Sequence, residues 1–277
     1  MRSPFYKKHS LLLRASAVVV VAIGVKVAVH ELGWEVLDLN PLLTGMVAAN
    51  VFVMGFLLTG VLSDFKESER LPAELAASLE TLIDESLIIH ERTRDPSAMR
   101  FAARIVYLGR TIHAWFHGTV ETRAVLERVT DLNRFFAAFE PLTQPNYITR
   151  MKQEQHALRR ILLRIQTIRE TSFISSGYVI AEVTTVALAI GLMLADIRPF
   201  YEALFIVGLI VFLLSYLIIL IRDLDNPFGY YEASSAEDVS LHPLEDFIAR
   251  LQSVVAVPES HAAVREHERA SVSEATG

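Results

Sequence analysis

The chain contains no cysteine. A disulfide framework and a thiolate metal site are therefore excluded. Glycine and proline are scarce, at 12 and 10 of 277 residues, and neither a low-complexity tract nor a fixed-period repeat divides the chain. Lysine and arginine (26) are outnumbered by aspartate and glutamate (32), and the net charge of −6 points away from nucleic acid as a partner. There is no P-loop, dinucleotide fingerprint, nucleophile elbow or kinase signature. His113, His117 and Glu121 are spaced one helical turn apart, but this spacing alone is a weak metal signal. The expectation is a protein without catalytic residues, metal or cofactor.

What is present is apolar residue, unevenly spread. The chain is 52% hydrophobic, with a mean hydropathy of +0.36. Long stretches are almost uncharged, and others are dense in arginine and glutamate, as expected when lipid solvates one part of a chain and water another. A bilayer core roughly 30 Å thick takes about 20 apolar helical residues. Four segments qualify, at about residues 11–29, 41–62, 174–194 and 203–221. They lack the alternation of barrel strands, so helices are expected. Arg2, Lys7, Lys8 and Arg14 precede or enter the first segment as in a signal peptide. Its apolar run is long and no small-residue cleavage site follows, so it is expected to be retained.

The fold class that follows is an all-α membrane protein, with four transmembrane helices in two hairpins flanking a helical insert. Its parts are residues 1–62 (tail and first hairpin), 63–172 (insert), 173–222 (second hairpin) and 223–277 (C-terminal tail, disordered from about 258). The basic N-terminal tail, the arginine-rich insert and Arg222 contrast with a link after the first span that carries Glu31, Glu35 and Asp38 but no lysine or arginine. The positive-inside rule places both termini and the insert in the cytoplasm of a cell whose inner membrane holds the chain. Trp34 and Tyr201 stand where interfacial aromatics belong. Within the insert, Leu75, Leu79, Leu82 and Ile83 have helical spacing, and helices are expected at about 71–91, 97–116, 120–139 and 147–170. Pro72 marks a kink or a restart. Arg159, Arg160, Arg164 and Arg169 suit lipid headgroups.

Two intramembrane charges are candidates for function. Lys26, near the outer end of the first span, can snorkel to the surface. Glu182, in the third span, can face water, bond a neighbouring helix or sit protonated. The two lie at different depths and are not expected to pair. In the second span Phe52 and Phe56 are four apart on one helix face, with Ala48 one turn above. Gly45, Gly55 and Gly60 permit close helix approach. Such a helix either packs ordinarily or lines a pore, where rings of phenylalanine would form an apolar constriction.

Residues 52–59 (FVMGFLLT), followed by charged residues and Arg70-Leu71-Pro72, resemble the second span of bestrophins. Asn226-Pro227-Phe228-Gly229 matches the NPFG that follows the last span of that family, and the order of spans and insert is similar over residues 1–250. The chain also resembles a group of prokaryotic bestrophin-like membrane proteins, whose LD-x-PF pattern stands here as Leu224 to Phe228. The resemblance implies a homopentameric channel for chloride or other anions, with a neck at Ala48, Phe52 and Phe56. Two departures are visible. The acidic run after NPFG is replaced by scattered carboxylates, which speaks against calcium gating, since a high-affinity site needs several convergent oxygens. The aromatic-rich segment after the second span is replaced by Asp64-Phe65-Lys66-Glu67. Proline and glycine in NPFG also suit a helix stop, whatever the function. A non-conducting scaffold with a cytoplasmic bundle, and a small transporter using Glu182 as a proton relay, remain as alternatives.

Overall fold

The computed structural model describes residues 4–38, 40–170, 175–230 and 238–251. The chain divides into two compact units, residues 1–68 with 168–239, and residues 69–167 with 240–277. The start of the third span and most of the segment after Tyr230 lie outside the described residues, as does the tail from 258.

The first unit holds α1 (Pro4–Glu31), α2 (Pro41–Ser68), α7 (Ser175–Leu194) and α8 (Phe200–Leu224). Among the described residues, four helices are long and apolar enough to cross a membrane, and these supply them. The start of α2 is set locally: the side-chain oxygen of Asn40 accepts from the Leu43 N–H at 2.9 Å, and Pro41 occupies a position whose missing N–H costs nothing. α1 packs mainly on α8, while α2 packs on α7 and α8. The two helices of the first hairpin thus meet the second hairpin rather than each other. Met54, Leu57 and Val61 of α2 close with Ala181, Leu214, Ile221 and Leu224 in one core. Ala22, Leu192, Val207 and Val211 form a second. Gly208 allows α1 to come close, since a Cβ there would lie 3.3 Å from Ile23 Cδ1.

The links after α1 and α7 are joined by two short parallel strands, β1 (Leu37–Asp38) and β2 (Ala195–Asp196), with Leu37 opposite Ala195. Nothing in the local pattern announces a two-residue ladder between segments so far apart in sequence.

The second unit is helical. α3 (Leu71–Thr93) begins after a turn at residues 69–70 with Pro72 in its first turn, so the chain restarts there instead of kinking. α4 (Pro96–Phe116) is capped by Asp95, whose carboxylate accepts from the Ser97 N–H at 2.7 Å. α5 (Thr122–Phe139) and α6 (Pro145–Glu170) follow, the latter running past the unit boundary at 168. Leu75, Leu79, Leu82 and Ile83 are buried, as their spacing predicts, together with Phe101, Trp115, Phe116, Phe136 and Phe139. A further helical stretch over residues 242–251 belongs to this unit. Its Phe247 is fully buried, and it is admitted by Gly109, where any Cβ would lie 2.9 Å from Phe247 Cε1.

Candidate functional site

The second span has two contrasting faces. Asn50, Met54, Leu57 and Val61 recur at helical spacing and are buried. Positions two residues away along a helix of 3.6 residues per turn fall on nearly the opposite side. Phe52 and Phe56 accordingly point away from the bundle, 77% and 64% exposed. Ala48 is exposed on the same side, with Gly45, Ala49, Gly55, Thr59 and Ser63. A Cβ at Gly45 or Gly55 would meet nothing within 4 Å. The three residues Ala48, Phe52 and Phe56 thus share one uncovered face within the chain.

That face differs from the exposed faces of the neighbouring helices. α1 exposes Leu12, Leu13, Val18, Val20 and Val21, α7 exposes Val179, Ile180, Val183 and Val186, and α8 exposes Phe205, Ile206, Leu209 and Leu213. This surface, aliphatic apart from Phe205, suits acyl chains. α2 also exposes Leu42, Met46 and Leu62, but beside its two phenylalanines it shows glycine, alanine, threonine and serine.

The rotation of α2 is held by a buried polar clamp. The Asn50 amide donates to Thr185 Oγ1 at 2.9 Å, and Asn50 Oδ1 accepts from Thr184 Oγ1 at 2.7 Å. Both amide atoms are used, in a place where an unmatched polar group is costly. The sequence shows Asn50 to be a polar residue in an apolar span, but it does not name the two threonines that receive it.

Glu182 takes the second of its three sequence options and bonds a neighbouring helix. Its carboxylate forms an ion pair with Arg222 on α8. Asp225 and Asp64 lie within electrostatic reach of the nearby Tyr178 hydroxyl, at the same ends of α2, α7 and α8. α8 ends at Leu224, directly before Asp225 and the NPFG run. Pro227, Phe228 and Gly229 are buried, and the Pro227 carbonyl accepts from the Val239 N–H at 2.9 Å. The motif thus both stops the helix and anchors the chain that follows.

Lys26 does not snorkel. Its side chain is 0% exposed, and Nζ donates to Glu35 Oε1 at 2.6 Å and to the Ala195 carbonyl at 2.5 Å. Glu35 Oε2 meets His30 Nδ1 at 3.0 Å, and the His30 ring stacks on Phe200 at 3.9 Å between centroids. The Lys26 hydrogen bond, then the one from His30, hold the Glu35 carboxyl below its ordinary range. The ammonium reaches inward because β1 and β2 bring a carboxylate and a carbonyl to it, so exposure to water is not needed. Lys26 and Glu182 are unpaired with each other, each having its own partner.

In the second unit, His113 Nε2 stands 3.3 Å from Glu245 Oε1, and His117 Nδ1 bonds the His113 carbonyl at 3.0 Å. The carboxylate facing this pair is Glu245 from the C-terminal helix, not Glu121. Among the described residues, no group of three or more histidine, cysteine or acidic side chains could hold a metal ion.

No family model matches the sequence, and no curated protein matches it either. Solved structures do. A bacterial bestrophin homologue from Klebsiella pneumoniae superposes with a TM-score of 0.68 at 16% identity, over 89% of this chain and 97% of that one. A single-substitution variant of the Klebsiella homologue gives a TM-score of 0.67 at 16% identity, over 91% of this chain and 99% of its own. The chain is a membrane protein with the fold of the bacterial bestrophin homologues.

Proposed function

We propose that this chain is a bestrophin-like channel subunit that assembles, as a pentamer, around an axis lined by the exposed face of α2. The observation that carries the reading is the contrast between that face and its neighbours: Gly45, Ala48, Ala49, Gly55, Thr59 and Ser63 surround Phe52 and Phe56, while α1, α7 and α8 expose mainly branched aliphatic side chains. Small residues let helices from several copies approach. Phe52 and Phe56 would then stack as two apolar rings, a constriction able to close by dewetting. Aromatic ring edges carry partial positive charge, which suits chloride or another anion. The sequence resemblance at residues 52–59 and 226–229 and the shared fold support the same reading. The lysine and arginine distribution favours an inner-membrane protein with both termini in the cytoplasm. The Glu182–Arg222 pair ties α7 to α8, so we assign Glu182 to bracing the bundle rather than to relaying protons.

The absence of native cysteine makes a direct test simple. Thr59→Cys in the purified protein should react with a charged, membrane-impermeant thiol reagent and lose current on modification. Leu209→Cys, on the aliphatic face of α8, should not react. Equal protection of both positions from the reagent would place α2 in lipid and remove the pore.

A further inference from the structure

The second unit carries a cleft that the channel reading does not use. It lies between α4 and α5 and has a volume of about 440 Å³. That is within the range of small-molecule sites, roughly 300–1,000 Å³. Its lining includes Arg100 and Arg104, one turn apart on α4, and Asp131, Arg134 and Phe135 on α5. The helix spacing aims both sets at one place: i and i+4 on α4, and i, i+3 and i+4 on α5. Three guanidinium groups therefore meet a single lining carboxylate.

The charges are not neutralised within the cleft. Arg104 Nη2 is 3.3 Å from Asp131 Oδ2, which occupies the one acid. Arg100 acts on Asp95 only through space, and Asp95 lies outside the lining of the cleft. Arg134 has no ion pair among the described residues. Like charges one turn apart on a helix are unfavourable by themselves, so an arrangement of this kind is best balanced by an anion. Arginine forks match phosphate oxygens two at a time, which an ammonium does not. One wall of the cleft is aromatic. Phe135 is half-buried, and its ring is fixed edge-on to Phe101 at 5.3 Å between centroids. A rigid ring beside guanidinium groups offers a surface for an apolar or flat group attached to the anion.

We infer that this cleft binds a small phosphate monoester, with the phosphate held by Arg100, Arg104 and Arg134 and its organic group against Phe135. Asp131 keeps Arg104 in place in the empty cleft and competes with the ligand for it.

Isothermal titration of the full chain in detergent, with phenyl phosphate and with inorganic phosphate as probes, tests this. Phenyl phosphate should bind, and inorganic phosphate at least fivefold more weakly. Arg134→Gln, an exposed position, should weaken phenyl phosphate at least tenfold. Asp131→Asn should strengthen it severalfold, a gain that a misfolded variant could not give. Absence of binding to the wild-type chain would overturn the proposal, as would equal affinity in the wild type and both variants.

Discussion

Asn50 on α2 donates its amide to the hydroxyl of Thr185 on α7 at 2.9 Å, while its own oxygen accepts from Thr184 at 2.7 Å. The clamp sits on the face of α2 opposite Phe52 and sets which side of that helix the bundle leaves uncovered. Replacing Asn50 by leucine keeps the branching at Cγ and removes both bonds. Thr184 retains the Ile180 carbonyl as an acceptor, at 2.7 Å. The expected loss is about 1 kcal/mol, because polar contacts between membrane helices are individually modest. A lowered melting temperature in detergent, by a few degrees, checks it.

Breaking the Lys26–Glu35 pair should cost more. Removing one member of a buried ion pair leaves the other without compensation, at about 3 kcal/mol or above. Lys26→Met should therefore lower the melting temperature strongly. Lys26→Met with Glu35→Gln should recover part of the loss. A double variant no more stable than the single one would show that Lys26 acts through packing alone.

The same pair predicts a pH dependence. Hydrogen bonds from Lys26 and then His30 depress the Glu35 carboxyl below its ordinary value of 4.5. Its contribution is therefore fully present above that value and is lost as pH falls through the depressed one. Melting temperature measured from pH 7 down to below pH 4 should decline less for Glu35→Gln than for the wild-type chain.

Gly208→Ala should strain the α1–α8 contact, since the new Cβ would lie 3.3 Å from Ile23 Cδ1. Gly208→Val should cost about 1–3 kcal/mol, the range for overpacking. Gly24→Ala, at a position with nothing within 4 Å, is the matched control and should be nearly neutral.

In the second unit, Gly109→Ala would meet Phe247 Cε1 at 2.9 Å. The variant should loosen the helix over residues 242–251 and open that helix to limited proteolysis. An unchanged cleavage pattern would show that this helix can shift without detaching.

Much of the architecture is legible in the sequence for simple reasons. Hydropathy finds the four spans because lipid demands about 20 apolar residues whatever the tertiary contacts. The insert helices follow from apolar spacing at Leu75, Leu79 and Leu82, which the core then buries. Periodicity likewise puts Phe52 and Phe56 on one face. It cannot say that the face stays uncovered, because coverage depends on α7 and α8, more than a hundred residues later. The same distance hides the partners of Asn50 and the pairing of Leu37 with Ala195. Lys26 reads as a snorkelling residue because depth is visible in sequence and the approach of Glu35 and the Ala195 carbonyl is not. The helix at 242–251 is short and mixes apolar with charged residues, and its seat against Gly109 and its ties to His113 and Glu80 are invisible in the sequence.

Current through planar bilayers containing the purified protein tests the central claim most directly. Under a chloride gradient the account predicts a current that reverses near the chloride equilibrium potential and grows in Phe52→Ala and Phe56→Ala. No current from the wild-type chain or from either variant, or a reversal at the cation potential, would contradict it.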